Sequence, residues 1–223
     1  MSGWTRHSMV VVTLLDSTSF MIINDKRKFI FVCVPKTGST TLSKFFQKHD
    51  NLRIEKSWFM EKWHCPISQI QKENNTQDYY SFAYHRNPFD RLVSSWIEFT
   101  QDKGHLEVWS KLLVNEFKSW EDFILNFSET SWANEIHFRP TTYYTHNNNE
   151  QQVNFIARYD DFERDTKVIF DTIGIDSNLL SNSKHYRKTN RNKDYRSYYK
   201  NDKAIEAVAK HFDSDLKTFG DFF

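Results

Sequence analysis

Residues 28–46, KFIFVCVPKTGSTTLSKFF, constrain this chain more than any other stretch. The continuous apolar run over 29–34 reads as a strand buried on both faces, the habit of a parallel strand. Pro35 and Lys36 end it. Thr37, Gly38, Ser39, Thr40 and Thr41 follow, and apolar residues then recur at helical spacing from about 40 to 48. A strand that turns through small hydroxyl residues into a helix makes a ready anion cradle, because unsatisfied backbone N–H groups and the positive end of the helix dipole point at one spot. Lys36 adds a full charge there. Gly38 permits positive φ or close backbone approach. The hydroxyls of Ser39, Thr40 and Thr41 are further donors to an anion's oxygens. The alternative is an ordinary strand-to-helix turn with a threonine N-cap.

The nucleotide loop G-x-x-x-x-G-K-[ST] places lysine directly after its second glycine. With Gly38 as that glycine, the first would fall at Cys33 and the lysine at Ser39. Here Lys36 precedes Gly38 instead, so an ATP loop of the ordinary kind is excluded while the same physics holds.

Further elements follow from pattern. A strand is expected over 80–84, broken by Asn87-Pro88, with Pro88 in the first turn of a helix to about 99. Another strand is expected over 153–159. A helix over 162–173 should stop at Gly174, and the last helix should cover about 202–212. Strand–helix repeated three times predicts an α/β fold: three-layered, like the P-loop nucleotide hydrolases, with a mainly parallel central sheet flanked by helices. Ligands in such sheets sit beyond the carboxyl ends of the strands, where Lys36 and Arg86 fall. Residues 1–27 read as an extension with a first strand, of which 1–20 are dispensable, and 28–223 as one domain. Segments 101–119 and 141–152 read as loops that select an acceptor.

The second constellation is YYSFAYHRNPFDRLVSSWIEF at 79–99. Arg86 leaves a strand end and Ser94 lies two helical turns on. A guanidinium fork and a hydroxyl suit a second phosphate. The plainer reading gives Arg86 a salt bridge to Asp90 and puts Arg91 on a solvated helix face.

Taken together, PKTGSTTL and FAYHRNPFDRLVSSW resemble the PAPS-dependent sulfotransferases, in particular the family that contains the carbohydrate sulfotransferases. The resemblance covers roughly 28–223. It continues weakly through HFRPTTYY at 137–144, NFIARYDDFERD at 154–165 and a closing helix after 195. It implies that Lys36, Thr37, Gly38, Ser39, Thr40 and Thr41 hold the 5′-phosphosulfate of PAPS, and that Arg86 and Ser94 hold its 3′-phosphate. The product would be adenosine 3′,5′-bisphosphate, with no metal needed. Two departures stand out. His85 replaces a usual apolar residue, and Asp221 precedes a displaced closing aromatic, Phe222.

Sulfuryl transfer to a hydroxyl needs in-line geometry, charge stabilisation at the leaving oxygen and a general base. Lys36 is the expected electrophile. The resemblance places the base between the two motifs or near the acceptor cleft, and His64 is the first choice, with Glu61, Glu55 and His137 as alternatives. Trp63, with Trp58 and Phe59, reads as a sugar-stacking face or as core. His137 reads as an acceptor contact. The basic, tyrosine-rich stretch 184–200 alone would suggest single-stranded nucleic acid. Under the resemblance it closes over the cofactor nucleotide through Arg187 and Lys188.

A formal net charge of +1 supplies no global basic field, which weakens the nucleic-acid reading. A kinase is disfavoured by the lysine-first order and by the lack of a clear carboxylate pair for Mg²⁺, and a non-catalytic module that binds nucleotide or nucleic acid is the other alternative. Two cysteines in 223 residues make no disulfide framework, and Cys33 reads as core. The apolar run at 9–15 is too short to span a bilayer. The expectation is a soluble, cytoplasmic enzyme whose partner is a hydroxyl-bearing sugar or glycan, not nucleic acid.

Overall fold

The computed structural model describes residues 20–49, 53–56, 64–101, 107–181, 191 and 194–223. The chain runs β1 (Phe20–Asn24), β2 (Phe29–Val32), α1 (Ser39–His49), β3 (Arg53–Lys56), α2 (Ile67–Glu73), β4 (Tyr80–His85) and α3 (Pro88–Gln101). It continues through α4 (Glu107–Glu116), α5 (Trp120–Asn126), two short 3-10 turns, α6 (Thr141–Thr145) and the small hairpin β5 (His146–Asn147) with β6 (Glu150–Gln151). β7 (Phe155–Arg158), α7 (Phe162–Ile173), α8 (Asn178–Ser181), α9 (Asp202–His211) and α10 (Asp213–Phe219) complete it.

The central sheet has the order β3-β1-β2-β4-β7. β2, β4 and β7 are parallel, as the three strand–helix repeats require, whereas β1 joins β2 and β3 antiparallel. The α/β fold with its flanked, mostly parallel sheet is therefore the one the sequence predicts.

β2 is FIFV with every residue buried, and its alternation divides the core. Phe29 and Phe31 face Phe46 of α1, Phe82 of β4 and Phe170 of α7. Ile30 and Val32 face Ile67 and Ile70 of α2 and Tyr144 of α6. Covering both faces is what a parallel sheet demands. Each such buried phenylalanine contributes about 1.5–3 kcal/mol. Beyond the sheet, α3, α5 and α9 enclose a third core around Phe89, Phe123, Phe138 and Val208.

Local chemistry sets the boundaries. The Asn87 side-chain oxygen accepts from the Phe89 N–H at 3.0 Å, so Asn87 caps α3 and Pro88 occupies its first turn. Gly174 ends α7 with φ +69°. Two expectations need correction. Segments 101–119 and 141–152 are not simply loops, since α4 and α6 lie within them. The apolar residues of α4 form no single buried stripe: Leu113 is buried, whereas Val108, Trp109, Leu112 and Val114 are exposed. Arg91 is not on a solvated face: it is 1% exposed, beside Asp215 and the Phe212 ring, and donates to the Arg139 carbonyl at 2.6 Å. Cys33 is core as expected, and burial pushes its thiol up to about 12, leaving it inert. Among the described residues no helix is long and apolar enough to cross a membrane.

Candidate active site

β2 delivers the chain to a six-residue turn, and α1 starts at Ser39. Two positions of that turn are left-handed, Lys36 at φ +63° and Gly38 at φ +86°. For glycine this costs little, and a Cβ at 38 would also lie 3.2 Å from the Phe162 ring. For lysine it costs about 1 kcal/mol or more, strain of the kind that gathers at functional sites. The Gly38 carbonyl accepts from the N–H groups of Thr41 (3.0 Å) and Leu42 (3.3 Å), so the helix begins squarely on the loop. The Thr37 hydroxyl donates to the Val34 carbonyl at 2.9 Å and is committed to the loop's own backbone. Ser39 and Thr41 are buried, while Gly38 and Thr40 reach solvent in part.

Arg86, at the end of the neighbouring parallel strand, closes on this loop. Its Nη1 donates to the Lys36 carbonyl at 2.9 Å and its Nε to Asp90 at 2.6 Å, with the guanidinium stacked 4.4 Å from the centre of the Tyr159 ring. The Asp90 salt bridge thus exists and does not remove Arg86 from the loop. Lys36 extends the other way, its Nζ 2.8 Å from Glu98 Oε2, both side chains nearly buried.

α3 explains the geometry. Asp90, Ser94 and Glu98 are four residues apart, which puts them in line on one face over about 12 Å. Asp90 holds Arg86, Glu98 holds Lys36, and the buried Ser94 lies between. Two residues absent from the sequence reading belong here. Glu98 is signalled only by its helical spacing from Ser94. Arg191, from the basic stretch, pairs with the other oxygen of Asp90. Two guanidinium groups on one carboxylate leave a net positive patch. Arg187, Lys188, Trp63, Trp58, Phe59 and Glu61 lie outside the described residues, as does the side chain of Glu55.

His64 joins the same cluster. Its Nδ1 meets the Cys33 carbonyl, which can only accept, so Nδ1 carries the proton and the neutral ring holds its lone pair on Nε2. Burial is the main cause that lowers its pKa to about 3, with the His137 and Lys36 charges acting the same way. The Cys33 hydrogen bond and the Glu98 charge oppose that shift. The His137 ring is 5.4 Å from that of His64, and its Nδ1 is 3.0 Å from Glu135 Oε1.

The first strand–helix turn and the end of the next parallel strand thus meet, with Lys36, Arg86 and His64 gathered at the junction. The sulfotransferase family profile matches residues 19–222, and the chain belongs to that family. No curated protein and no solved structure matches it significantly.

Proposed function

We propose that this enzyme moves the sulfuryl group of PAPS to a hydroxyl of a carbohydrate or glycoconjugate. The observation that carries the reading is the junction of the two motifs, Arg86 bonded to the Lys36 carbonyl while one face of α3 holds both side chains. The residues fit the donor: two left-handed turn positions, a glycine whose Cβ would crowd the Phe162 ring, a helix N-terminus and a guanidinium fork. PAPS supplies an activated sulfuryl group with a phosphate leaving group. Residues 37–41 bind the 5′ end, and Arg86 with Ser94 the 3′-phosphate, with Arg187 and Lys188 closing over the nucleotide. Lys36 places its ammonium where negative charge develops on the leaving oxygen. His64 takes the proton of the acceptor hydroxyl at Nε2. Trp63 and His137 contact the acceptor.

Glu98 gives Lys36 and His64 a shared control. Lys36 disfavours a charged His64 and Glu98 favours it. When Lys36 turns from Glu98 toward the leaving oxygen, the Glu98 carboxylate is released to support the imidazolium that forms. A second reading makes His137 the base, favoured by the Glu135 carboxylate at its Nδ1.

Thermal unfolding with adenosine 3′,5′-bisphosphate against ATP·Mg²⁺ tests the donor class. At a hundred times Kd the bisphosphate should add about 2.7 kcal/mol, a rise in Tm of about 5–10 °C. ATP·Mg²⁺ should add little. Stabilisation by ATP·Mg²⁺ alone would sink the reading in favour of a kinase.

A further inference from the structure

The two residues at which this chain departs from the pattern it resembles touch each other. His85 ends β4, fully buried, and its Nε2 meets the Asp221 carboxylate, 136 positions along the chain. Its Nδ1 is 3.0 Å from Thr141 Oγ1 of α6, and its ring stacks on Phe219 with centroids 3.8 Å apart. The other Asp221 oxygen accepts from Arg158 Nη2 at the end of β7, and Arg158 Nη1 also donates to the Phe219 carbonyl at 3.3 Å. Two residues past His85, the Asn87 amide donates to the Phe222 carbonyl at 3.0 Å. Phe223 then sets its ring edge-on to Phe89 at 5.2 Å.

The segment 219–223 therefore holds the β4–α3 corner on both sides of Arg86. An apolar residue at 85 would leave Asp221 only Arg158. An aromatic at 221 would leave a buried imidazole nitrogen without its acceptor, a loss of about 1–3 kcal/mol. Each departure makes sense only with the other. Burial alone would raise the Asp221 pKa. The His85 hydrogen bond first, then the His85 charge and Arg158, outweigh it and hold the carboxyl below its usual range.

We propose that Asp221, through His85, is a positioning residue for the donor site: segment 219–223 is a clasp that fixes where the Arg86 guanidinium points. A fork that must meet a phosphate and the Lys36 carbonyl together tolerates little displacement. The inference rests on the donor-site reading of Arg86, so both are tested in one experiment.

Calorimetric titration with adenosine 3′,5′-bisphosphate is carried out at a temperature where circular dichroism shows every variant folded. Arg86→Ala should bind at least about a hundred-fold more weakly. His85→Leu and Asp221→Asn should each weaken binding about ten-fold, and the double variant no further. His85→Gln, which keeps a donor toward Asp221, should stay within about two-fold. Folded His85→Leu and Asp221→Asn proteins that bind like the wild type, or a His85→Gln as weak as His85→Leu, overturn the clasp while Arg86→Ala upholds the donor site. Unchanged affinity in Arg86→Ala overturns both. Should the buried substitutions unfold the chain, Asn87→Ser keeps the α3 cap and releases only the Phe222 carbonyl. It should weaken binding about three-fold, and wild-type affinity there also overturns the clasp.

Discussion

Lys36→Ala should lower the rate of sulfuryl transfer about a thousand-fold or more while leaving affinity for adenosine 3′,5′-bisphosphate within about ten-fold of the wild type. The split follows from where the charge acts. In the proposed reaction the backbone of residues 37–41, Arg86 and Ser94 would hold the nucleotide in ground and transition state alike, so they would set affinity. The Lys36 ammonium, on the proposed mechanism, would face an oxygen whose negative charge grows only as the sulfuryl group departs. Its ground-state partner is Glu98, at 2.8 Å, so binding the donor exchanges one ionic contact for another. Backbone strain complicates the substitution, because alanine at φ +63° is strained as lysine is. Lys36→Gly removes that strain and should unfold about 1 kcal/mol later than Lys36→Ala with no recovery of rate. Lys36→Arg keeps the charge but spreads it over a planar fork, and should recover only part of the loss. Transfer from labelled donor in single-turnover reactions reads the chemical step. A Lys36→Ala rate within ten-fold of wild type would remove Lys36 as the electrophile.

The strand–turn–helix at 28–46 was legible in the sequence because everything that makes it is local. The apolar run of β2, the small residues of the turn and the helical spacing of Leu42, Phe45 and Phe46 all lie within 18 residues. The places of Arg86 and Ser94 in the fold were legible for the same reason, a strand end, a proline and a fixed helical offset. What escaped depends on distant packing. Glu98 is one acidic residue among 29 until α3 lies along the loop and brings it to Lys36. Arg191 stands in a run of bases that composition cannot rank, and only contact with Asp90 selects it. β1 and β3 were missed as antiparallel partners because short strands at a sheet margin carry no period strong enough to declare direction. Arg91 shows the opposite error. Its charge suggested water, yet an arginine with carbonyl and carboxylate partners can be a core residue.

His64→Ala should reduce turnover about a hundred- to ten-thousand-fold, and its pH dependence separates a base from a packing residue. The folded, donor-free ring has its pKa lowered to about 3, while the unfolded chain keeps the ordinary value near 6.5. Between those values the unfolded state binds more protons. The contribution to stability is therefore fully present above about pH 6.5 and is lost as pH falls toward about 3. His64→Ala should flatten that part of the stability curve, measured by urea unfolding at several pH values. Activity should follow the neutral ring. The acid limb of kcat/KM reports the free enzyme, so it should fall well below pH 6.5. The limb of kcat should lie higher than that of kcat/KM if, as proposed, Lys36 turns away from Glu98 in the donor complex and the carboxylate then favours the imidazolium. Glu98→Gln should bring the two limbs together. His64→Ala with near-normal turnover, beside a His137→Ala that loses it, would hand the base to His137 and its Glu135 partner. Their proximity would not save the first assignment, because two imidazoles 5.4 Å apart can occupy one site but only one can hold the transferred proton first.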